Sequence, residues 1–304
     1  MPITMLAHDR KWTSVMPEHY EVKRIGSYLK EAGIEGNRII ALEPLPGAEK
    51  ILKQESISKW QSNLENQKVL SISVKAKYTF LELDQGTLMW HYRFTGIPHV
   101  TGYSYDTKLY TIFNLPTSVN GHRFCRFRLH FEDKKCLEYF DTRCLSDIRY
   151  FPRLQAHELD IHKKLAPDLT HFSPLSFTAW KTQIGSRKRN LKQELQDQST
   201  YPSGIGNYLA CEILACAKLN PWIPVSSISP EEYQALCNGI MTVKKLCEQH
   251  ANYQWFHVFN RTNCRICAGT VVRKKHHLGQ SGQTTHYCPQ CQRQPLLKVS
   301  YVRT

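Results

Sequence analysis

Two pairs of cysteines near the carboxyl end constrain the fold of this chain more than any other feature. The stretch NCRICAG...THYCPQCQ contains Cys264 and Cys267, then Cys288 and Cys291, so twenty residues separate two CxxC pairs. Each CxxC turn presents two thiolates on one side of a tight loop, and two facing turns complete a tetrahedron around zinc. Because four thiolates leave no open position, the predicted zinc would be structural. Two unrelated thiol pairs or a redox site is the alternative interpretation.

The charge of the chain favours a polyanionic partner. Its 304 residues include 40 lysines and arginines against 26 aspartates and glutamates, which gives a net charge of +14. An excess of this size is typical of proteins that neutralise phosphates and release counterions. Between the cysteine pairs, the run VVRKKHHLGQSGQTTH is a basic segment suited to contacting phosphates, and an ordinary solvated hairpin tip is the alternative.

The composition predicts a protein that works inside a cell and does not cross a membrane. No run approaches about 18 consecutive apolar residues. The first fifteen residues, MPITMLAHDRKWTSV, lack the continuous apolar core and the small-residue cleavage site of a secretory signal. Seven further cysteines without regular spacing indicate free thiols in a reducing compartment. They are Cys125, Cys136, Cys144, Cys211, Cys216, Cys237 and Cys247.

The apolar pattern divides the chain into a β-rich half and a helical half. Residues 16–34 suit an amphipathic helix. From about 38 to 140, short apolar and aromatic runs alternate with turn signals, which predicts a sandwich or flattened barrel. Residues 151–175 contain three prolines and have the composition of a linker, and helical patterns follow from 176 to 250. The turn signals are Pro46-Gly47, Asp84-Gln85-Gly86 and Asn120-Gly121.

A glycine-rich turn interrupts the helical half. In the segment LQDQSTYPSGIGNYLACEIL, Gly204 and Gly206 allow the backbone to approach a ligand closely. The amides of a helix that starts near Asn207 would face outward with the positive end of its dipole, and a phosphate can dock there. A plain connection between two helices is the alternative.

Six motifs, in order along the chain, resemble the formamidopyrimidine-DNA glycosylase and endonuclease VIII (Fpg/Nei) family of base-excision DNA glycosylases. They are MPEHYEV, which begins at Met16, VKAKYTFLELD, HYRFTG, FDTRCLS, LQDQ with SGIGN, and the four-cysteine finger. The resemblance implies an α+β fold: an N-terminal β-sandwich with flanking helices, a C-terminal helix-two-turn-helix domain and a four-cysteine zinc finger. The implied boundaries are an N-terminal extension over 1–15, a catalytic β-sandwich domain over 16–150, a linker over 151–175, a DNA-binding helix-two-turn-helix domain over 176–257, and the zinc finger with the C-terminal tail over 258–304.

The resemblance implies catalytic and DNA-binding roles for individual residues. Pro17 would attack C1′ of the damaged nucleotide, release the base and form an iminium Schiff base. Glu18 would be the general acid/base at the sugar ring oxygen, and Glu21 matches a further acidic position of the substrate-binding set. Lys77 corresponds to a lysine that assists DNA binding and β-elimination, with a solvated strand lysine as the alternative. Asn207 would bind the phosphates that flank the flipped nucleotide.

The family also fills the gap that a flipped base leaves in the duplex. Phe94 stands where the family has a methionine, and Arg143 and Leu145 correspond to an Arg-x-Phe element. An apolar wedge with a guanidinium facing the orphan base is therefore predicted, and burial of Phe94 and Leu145 in the core is the alternative.

Three departures from the family pattern bear on the chemistry. The residues before Met16 would bury the Pro17 nitrogen in an amide, so chemistry through Pro17 requires initiation at Met16 or proteolysis. Tyr20 replaces the proline that usually lies three residues after the catalytic one. Gln283 replaces a finger arginine that clamps phosphate and is linked to δ-elimination, which a neutral amide cannot reproduce. Arg273 or a neighbouring lysine would substitute for it.

These features predict a bifunctional glycosylase and lyase, nearer the Nei-like branch, that removes oxidised bases and cleaves the strand by β-elimination. The expected lesions are oxidised pyrimidines and ring-opened or hydantoin bases, the expected partner is damaged DNA, and the expected state is a monomer. A non-catalytic damaged-DNA-binding protein derived from such a glycosylase is the main alternative. A zinc-ribbon protein that binds RNA or scaffolds other proteins is a third.

Overall fold

An amphipathic helix opens the described part of the chain. Helix α1 (His19–Glu31) buries Val22, Ile25 and Leu29, which recur at helical spacing. The helix predicted within residues 16–34 is therefore confirmed. The computed structural model describes residues 17–103, 123–250, 252–275 and 283–292.

Two four-stranded antiparallel sheets follow within the described residues. The strands are β1 (Ile39–Pro44), β2 (Val69–Lys75), β3 (Tyr78–Leu83), β4 (Gly86–His91), β5 (Gly96–Val100), β6 (Cys125–Phe131), β7 (Cys136–Asp141) and β8 (Asp147–Pro152). One sheet has the order β1-β6-β7-β5, and the other has the order β2-β3-β4-β8. Two short helices, α2 (Ala48–Ile51) and α3 (Ile57–Leu64), connect β1 to β2.

Large aromatic side chains join the two sheets in one core. Phe127 and Tyr139 stack with their ring centroids 5.0 Å apart, and Trp90 meets Tyr139 edge-on at 5.6 Å. The same buried cluster contains residues of both sheets and of α1. Buried apolar residues of both sheets thus form one core between them, and the predicted β-sandwich is confirmed.

Two of the predicted turns lie where the sequence signals place them. Gly86 begins β4 with φ at +152°, and a Cβ there would come within 2.4 Å of the Phe151 carbonyl oxygen. The tight connection between β3 and β4 therefore requires glycine. Gly47, with φ at +92°, precedes α2. The third predicted turn, Asn120-Gly121, lies outside the described residues.

The segment predicted as a linker over 151–175 contains more structure than its prolines indicated. Strand β8 continues to Pro152. Helical turns follow at Ala156–Glu158, in helix α4 (Asp160–Lys164) and at Leu169–His171. Buried leucines anchor the segment, so it is a packed connection. These leucines are Leu159, Leu165 and Leu169.

Four helices form the carboxyl-terminal half of the described chain. They are α5 (Phe177–Ile184), α6 (Leu191–Gln196), α7 (Asn207–Cys216) and α8 (Pro230–Gln249). Local signals set their ends: the Ser229 side chain accepts a hydrogen bond from the Glu232 amide, and Pro230 takes the first helical position of α8. Helix α7 is buried along most of its length and packs against α8, because LACEILA is apolar on nearly every side.

A basic hairpin completes the described structure. Strands β9 (Val272–Lys275) and β10 (Thr284–Tyr287) pair antiparallel. The Lys274 ammonium lies 5.1 Å from the centre of the Trp222 ring, a cation–π contact that docks the hairpin on the helical half. The fold is α+β, as the sequence predicted. Among the described residues, no helix is both long enough and apolar enough to cross a membrane.

Candidate active site

The carboxylate of Glu18 lies at the amino end of helix α7. It accepts hydrogen bonds from the backbone amides of Gly206 at 2.7 Å, Tyr208 at 2.9 Å and Leu209 at 3.3 Å. A Cβ on Gly206 would come within 2.5 Å of the Glu18 carboxyl group, so this approach requires glycine. The sequence predicted that these amides would face outward and bind a phosphate. That prediction is wrong for these three amides, because an acidic side chain of the chain itself takes the anion position.

Burial makes Glu18 a proton-holding group near neutral pH. Its side chain is 1% exposed. Burial raises the pKa of Glu18 to about 8, against the opposing charge of Lys77 and with a further upward contribution from Glu21. Pro17, directly before Glu18, is also buried. Met16 and the predicted extension over 1–15 lie outside the described residues.

Glu21 lies beneath Glu18 rather than at the protein surface. Its carboxylate accepts a hydrogen bond from the Tyr208 hydroxyl at 2.7 Å and one from the Glu18 amide at 3.0 Å. Burial raises the pKa of Glu21 also. Glu21 is 2% exposed, and its carboxylate holds the Glu18 amide and the Tyr208 hydroxyl in position. Its place in the substrate- and DNA-binding set stays a prediction.

Lys77 lies in the turn between β2 and β3 and faces the glycine-rich turn. Its half-buried ammonium donates a hydrogen bond to the Ile205 carbonyl oxygen at 3.3 Å. Burial lowers the pKa of Lys77, the charge of Glu18 opposes that effect, and Arg93 adds to it. The alternative of a solvated strand lysine is therefore wrong. The structure brings Lys77 into the electrostatic neighbourhood of Glu18, although the two residues belong to different elements.

Asn207 joins the start of α7 to the cysteine-bearing hairpin. Its Oδ1 accepts a hydrogen bond from Lys192 Nζ at 2.6 Å, and its Nδ2 donates to the Thr284 carbonyl oxygen at 3.2 Å. Lys192 is fully buried, and its ammonium also donates to Thr285 Oγ1 at 2.8 Å. Sequence reasoning missed Lys192, because the polar run LKQELQDQ gives no sign that this lysine lies inside.

Phe94, Arg143 and Leu145 come together on two neighbouring loops. The Arg143 guanidinium carbon lies 5.0 Å from the centre of the Phe94 ring. Asp141 holds the second loop, since its carboxylate accepts hydrogen bonds from the amides of Arg143 at 3.0 Å, Leu145 at 2.9 Å and Ser146 at 2.8 Å. Leu145 is 37% exposed and Phe94 is half-buried, so the alternative that both belong to the core is wrong.

Gln283 and Arg273 occupy different positions on the hairpin. Gln283 directly precedes β10, and its Oε1 accepts a hydrogen bond from Gln196 Nε2 at 2.9 Å. Arg273 is exposed on β9, where its backbone pairs with His286. Gln283 therefore lies on the Asn207 side of the hairpin base, while Arg273 extends into solvent.

The four cysteines of the two CxxC pairs converge. All four sulfur atoms lie within 4.8 Å of one another. The Sγ atoms of Cys264 and Cys291 are 3.9 Å apart, and those of Cys267 and Cys288 are 3.5 Å apart. Both distances exceed a disulfide bond of about 2.05 Å by a wide margin. The cluster can therefore hold a metal ion.

Comparison with known proteins finds similarity to formamidopyrimidine-DNA glycosylases. Residues 16–148 match the formamidopyrimidine-DNA glycosylase N-terminal domain. A formamidopyrimidine-DNA glycosylase of Pelotomaculum thermopropionicum is 28% identical over 91% of this chain and 99% of its own length. One from Streptococcus pneumoniae is 26% identical over 91% of this chain and 99% of its own.

Solved structures share the whole fold. The Lactococcus lactis formamidopyrimidine-DNA glycosylase, crystallised non-covalently bound to abasic-site DNA, superposes with a TM-score of 0.73 and 20% identity over 91% of this chain and all of that one. The proteins that this chain resembles in fold and in sequence are therefore DNA glycosylases. Within those glycosylases, the chain is similar to the formamidopyrimidine-DNA glycosylases, with the domain match over residues 16–148.

Proposed function

We propose that this protein removes oxidised bases from DNA through a Pro17 Schiff base and then cleaves the strand by β-elimination. The observation that carries the proposal is Glu18: a buried carboxyl group with its pKa at about 8, directly beside Pro17 and within the electrostatic reach of Lys77. Such a group keeps its proton at neutral pH and can deliver it to a sugar oxygen. The proposal assigns chemistry to the sandwich domain over 16–150 and DNA binding to residues 176–257 and the finger.

The chemistry requires a free amine at Pro17. The nitrogen attacks C1′, the bond from C1′ to the base breaks, and the proton that leaves the Pro17 nitrogen goes to the departing base. The proton held by Glu18 goes to the ring oxygen as the sugar opens. The product is an iminium ion between Pro17 and C1′. The Glu18 carboxylate, which has just given up its proton, then takes a proton from C2′, and the bond between C3′ and its oxygen breaks to release the 3′ phosphate, with Lys77 beside the reacting sugar. A chain that starts at Met16 and loses that methionine, or a proteolysed chain, supplies the amine.

Phe94, Arg143 and Leu145 are suited to fill the space that the flipped nucleotide leaves. The ring and the leucine offer apolar surface for the stacked bases, and the guanidinium offers donors for the orphan base. Because the Phe94 ring and Asp141 hold the loop of Arg143, the wedge is preorganised before DNA binds.

Asn207 and the hairpin are suited to hold the DNA backbone. Thr284 takes one of the two hydrogens of Asn207 Nδ2 and Lys192 orients the amide, so the second hydrogen can reach a phosphate. Exposed Arg273 supplies a positive charge on the same hairpin. We expect the protein to bind damaged DNA as a monomer inside the cell.

Zinc is the metal that fits the four-cysteine cluster. A tetrahedral zinc ion with bonds of about 2.3 Å places its sulfur ligands about 3.8 Å apart. The sulfur separations of 3.5 and 3.9 Å bracket that value. Zinc held there would join the hairpin to the helical core and would leave no position for a substrate.

Two features of the finger region bear on the reaction, the first on strand cleavage and the second on the lesion preference. Gln283 is neutral and hydrogen-bonded to Gln196, so it does not supply the second cation that δ-elimination needs. Helix α8 ends at Gln249, and turns lead directly to Cys264, which leaves little chain to cover a large purine. We therefore assign oxidised pyrimidines and ring-opened or hydantoin bases, as in the Nei-like branch. The Lactococcus lactis relative has been crystallised with DNA containing an oxidised pyrimidine.

Borohydride trapping on abasic-site DNA tests the proposal. Protein that begins at Met16 and protein that begins at Met1 are compared, and peptide mapping locates the adduct. A reduced adduct at Pro17 in the short form only is expected, with product ends that come from β-elimination. Mostly 3′-phosphate ends would contradict β-elimination. Excision of 8-oxoguanine opposite cytosine with dihydrouracil left untouched would contradict the lesion assignment.

A non-catalytic damage binder is the second candidate. Residues precede Pro17 in the sequence, so its nitrogen is an amide in the unprocessed chain. Gln283 in place of a finger arginine favours the same candidate. DNA binding without an adduct in either form of the protein would select it.

A further inference from the structure

His19 occupies the meeting point of three segments behind Glu18. It is 1% exposed, and its Nδ1 lies 2.9 Å from the Ala76 carbonyl oxygen in the β2–β3 turn. Its Nε2 lies 2.5 Å from Thr170 Oγ1 and 3.5 Å from Asp168 Oδ1 in the connection between the two halves. The His19 amide donates to the Gly204 carbonyl oxygen at 3.2 Å, on the glycine-rich turn.

The partners of the ring define its protonation. A carbonyl oxygen only accepts, so Nδ1 carries the hydrogen and donates it to Ala76. In the neutral ring Nε2 then accepts from the Thr170 hydroxyl. Burial lowers the pKa of His19, Asp168 opposes that effect, and the positive groups Lys23 and His171 add to it. At neutral pH the ring is therefore a fixed donor to the β2–β3 turn.

The bond to Ala76 controls the peptide unit that leads into Lys77. Ala76 has φ at +54°, a left-handed conformation that residues other than glycine rarely adopt. A buried hydrogen bond at its carbonyl group holds that conformation. The direction in which the Lys77 side chain leaves the turn depends on it, and so does the approach of its ammonium to Ile205 and Glu18.

We propose that His19 is a positioning residue that sets the place of the Lys77 ammonium relative to Pro17 and Glu18. The inference rests on the proposed function, since Lys77 matters to the reaction only if the protein is a lyase. His19 touches no reacting atom in this arrangement. Its effect passes through the Ala76 carbonyl group.

Three substitutions at His19 separate this role from simple packing. In His19→Asn, the side-chain amide can donate from the place of Nδ1 and keep the bond to Ala76. In His19→Gln, the longer amide reaches towards Thr170 and Asp168 and leaves Ala76 unpaired. His19→Leu keeps the apolar volume and loses both bonds. Thr170→Val is the matched control, because it removes a partner of Nε2 only.

Single-turnover cleavage of abasic-site DNA with enzyme in excess is the first readout. We expect His19→Leu and His19→Gln to lower the cleavage rate about tenfold, and His19→Asn and Thr170→Val to stay within about threefold of the unsubstituted protein. In the Lys77→Ala background, adding His19→Leu should lower the cleavage rate by less than about a further twofold. Equal cleavage rates for His19→Asn and His19→Gln would overturn the inference. So would a loss of about tenfold in rate on adding His19→Leu to Lys77→Ala.

Reductive methylation of lysines, followed by mass spectrometry, is a readout that needs no activity. Lys77 should react slowly in the unsubstituted protein and in His19→Asn, and should approach the rate of Lys75 in His19→Gln. Unchanged protection of Lys77 in His19→Gln would overturn the inference even in a protein that cleaves no DNA. If the unsubstituted protein forms no Pro17 adduct while Lys77 protection responds as expected, the proposed function fails and the positioning of Lys77 stands.

Discussion

At Glu18, two opposing influences act on a single carboxyl group. The amides at the start of α7 stabilise its ionised form, while burial stabilises the protonated form. Burial dominates, and the pKa of about 8 leaves the group protonated at neutral pH. The helix amides therefore orient the Glu18 carboxyl group without removing its proton. A general acid requires both the fixed orientation and the proton.

Glu18→Gln tests that role because glutamine keeps an acceptor for the α7 amides but has no proton to transfer. We expect the release of an oxidised pyrimidine to fall by about 10²-fold or more, the usual loss when a general acid is removed. The measurement is single-turnover base release from duplex DNA. Abasic-site DNA should still yield the Pro17 adduct, since its sugar opens to the aldehyde in water and needs no acid at the ring oxygen. Unchanged base release would rule Glu18 out as the acid.

The pH dependence of base release follows from the raised pKa of Glu18. A carboxyl group with its pKa at about 8 holds its proton below that pH and loses it above. The rate should therefore fall towards tenfold per pH unit on the alkaline side of about 8. A profile of the single-turnover rate from pH 6 to about 10 measures it. A rate that rises throughout this range would contradict the assignment.

Lys77 and Lys75 form a matched pair for a test at the same hairpin. The Lys77 ammonium donates to the Ile205 carbonyl oxygen. The Lys75 ammonium donates instead to the His162 carbonyl oxygen, at 2.9 Å. Lys77→Ala should lower strand cleavage at abasic sites about tenfold or more, and Lys75→Ala should leave it within about twofold. Gel analysis of cleavage products at saturating enzyme measures both. Equal losses would indicate a general effect of positive charge.

At the scale of elements, two loops carry the residues of the proposed wedge. The turn between β4 and β5 carries Phe94, and the loop between β7 and β8 carries Arg143 and Leu145. The strands are in different sheets, β5 and β7 in one and β4 and β8 in the other. The sandwich therefore brings both loops to one end. The Asp141 carboxylate holds the loop between β7 and β8 by accepting hydrogen bonds from the amides of Arg143 and Leu145.

Phe94→Ala should affect duplex DNA more than single-stranded DNA. Only a duplex leaves a gap in a base stack when the nucleotide flips, and a stacked aromatic ring contributes about 1–3 kcal/mol there. We expect about tenfold slower base release from duplex and less than about twofold slower release from a single strand. Leu154→Ala, at another exposed apolar residue, is the control. Equal losses on both substrates would remove Phe94 from the wedge.

At the scale of the whole molecule, helix α1 ties the sandwich to the helical half. Glu18 caps α7 at one side. Arg24 donates to the carbonyl oxygens of Cys247 at 2.6 Å and His250 at 3.0 Å, at the carboxyl end of α8. Tyr20, in place of the usual proline, donates from its hydroxyl to Glu248 at 3.2 Å. The candidate site is therefore complete only when both halves are docked.

Loss of the metal should weaken DNA binding and the helical half together. Cys264 and Cys288 belong to the buried cluster of the helices, so the hairpin and that core share the site. We expect one zinc ion per chain by elemental analysis, its loss in Cys267→Ser, and its retention in Cys136→Ser. DNA affinity should fall at least about tenfold in Cys267→Ser as the hairpin contacts are lost. Full affinity in a zinc-free protein would contradict a structural role.

The sequence by itself determined the features that depend on neighbouring residues. Short apolar runs between turn signals, apolar residues at helical spacing and the spacing of two CxxC turns are local patterns, so they predicted the sandwich, the helices and the cysteine cluster. The adjacency of Pro17 and Glu18 is likewise written in the chain. Those predictions needed no knowledge of how distant segments pack.

Only the tertiary structure decided where distant side chains meet. Glu18 occupies the α7 amides that the sequence left for phosphate, and Glu21 turns inward to Tyr208. Buried Lys192 holds Asn207, and His19 reaches the turn of Lys77. Each of these contacts joins residues on separate elements, and their polar side chains carry no periodicity that distinguishes a buried partner from a solvated surface. The burial that sets the pKa of Glu18 arises only when the two halves close around it.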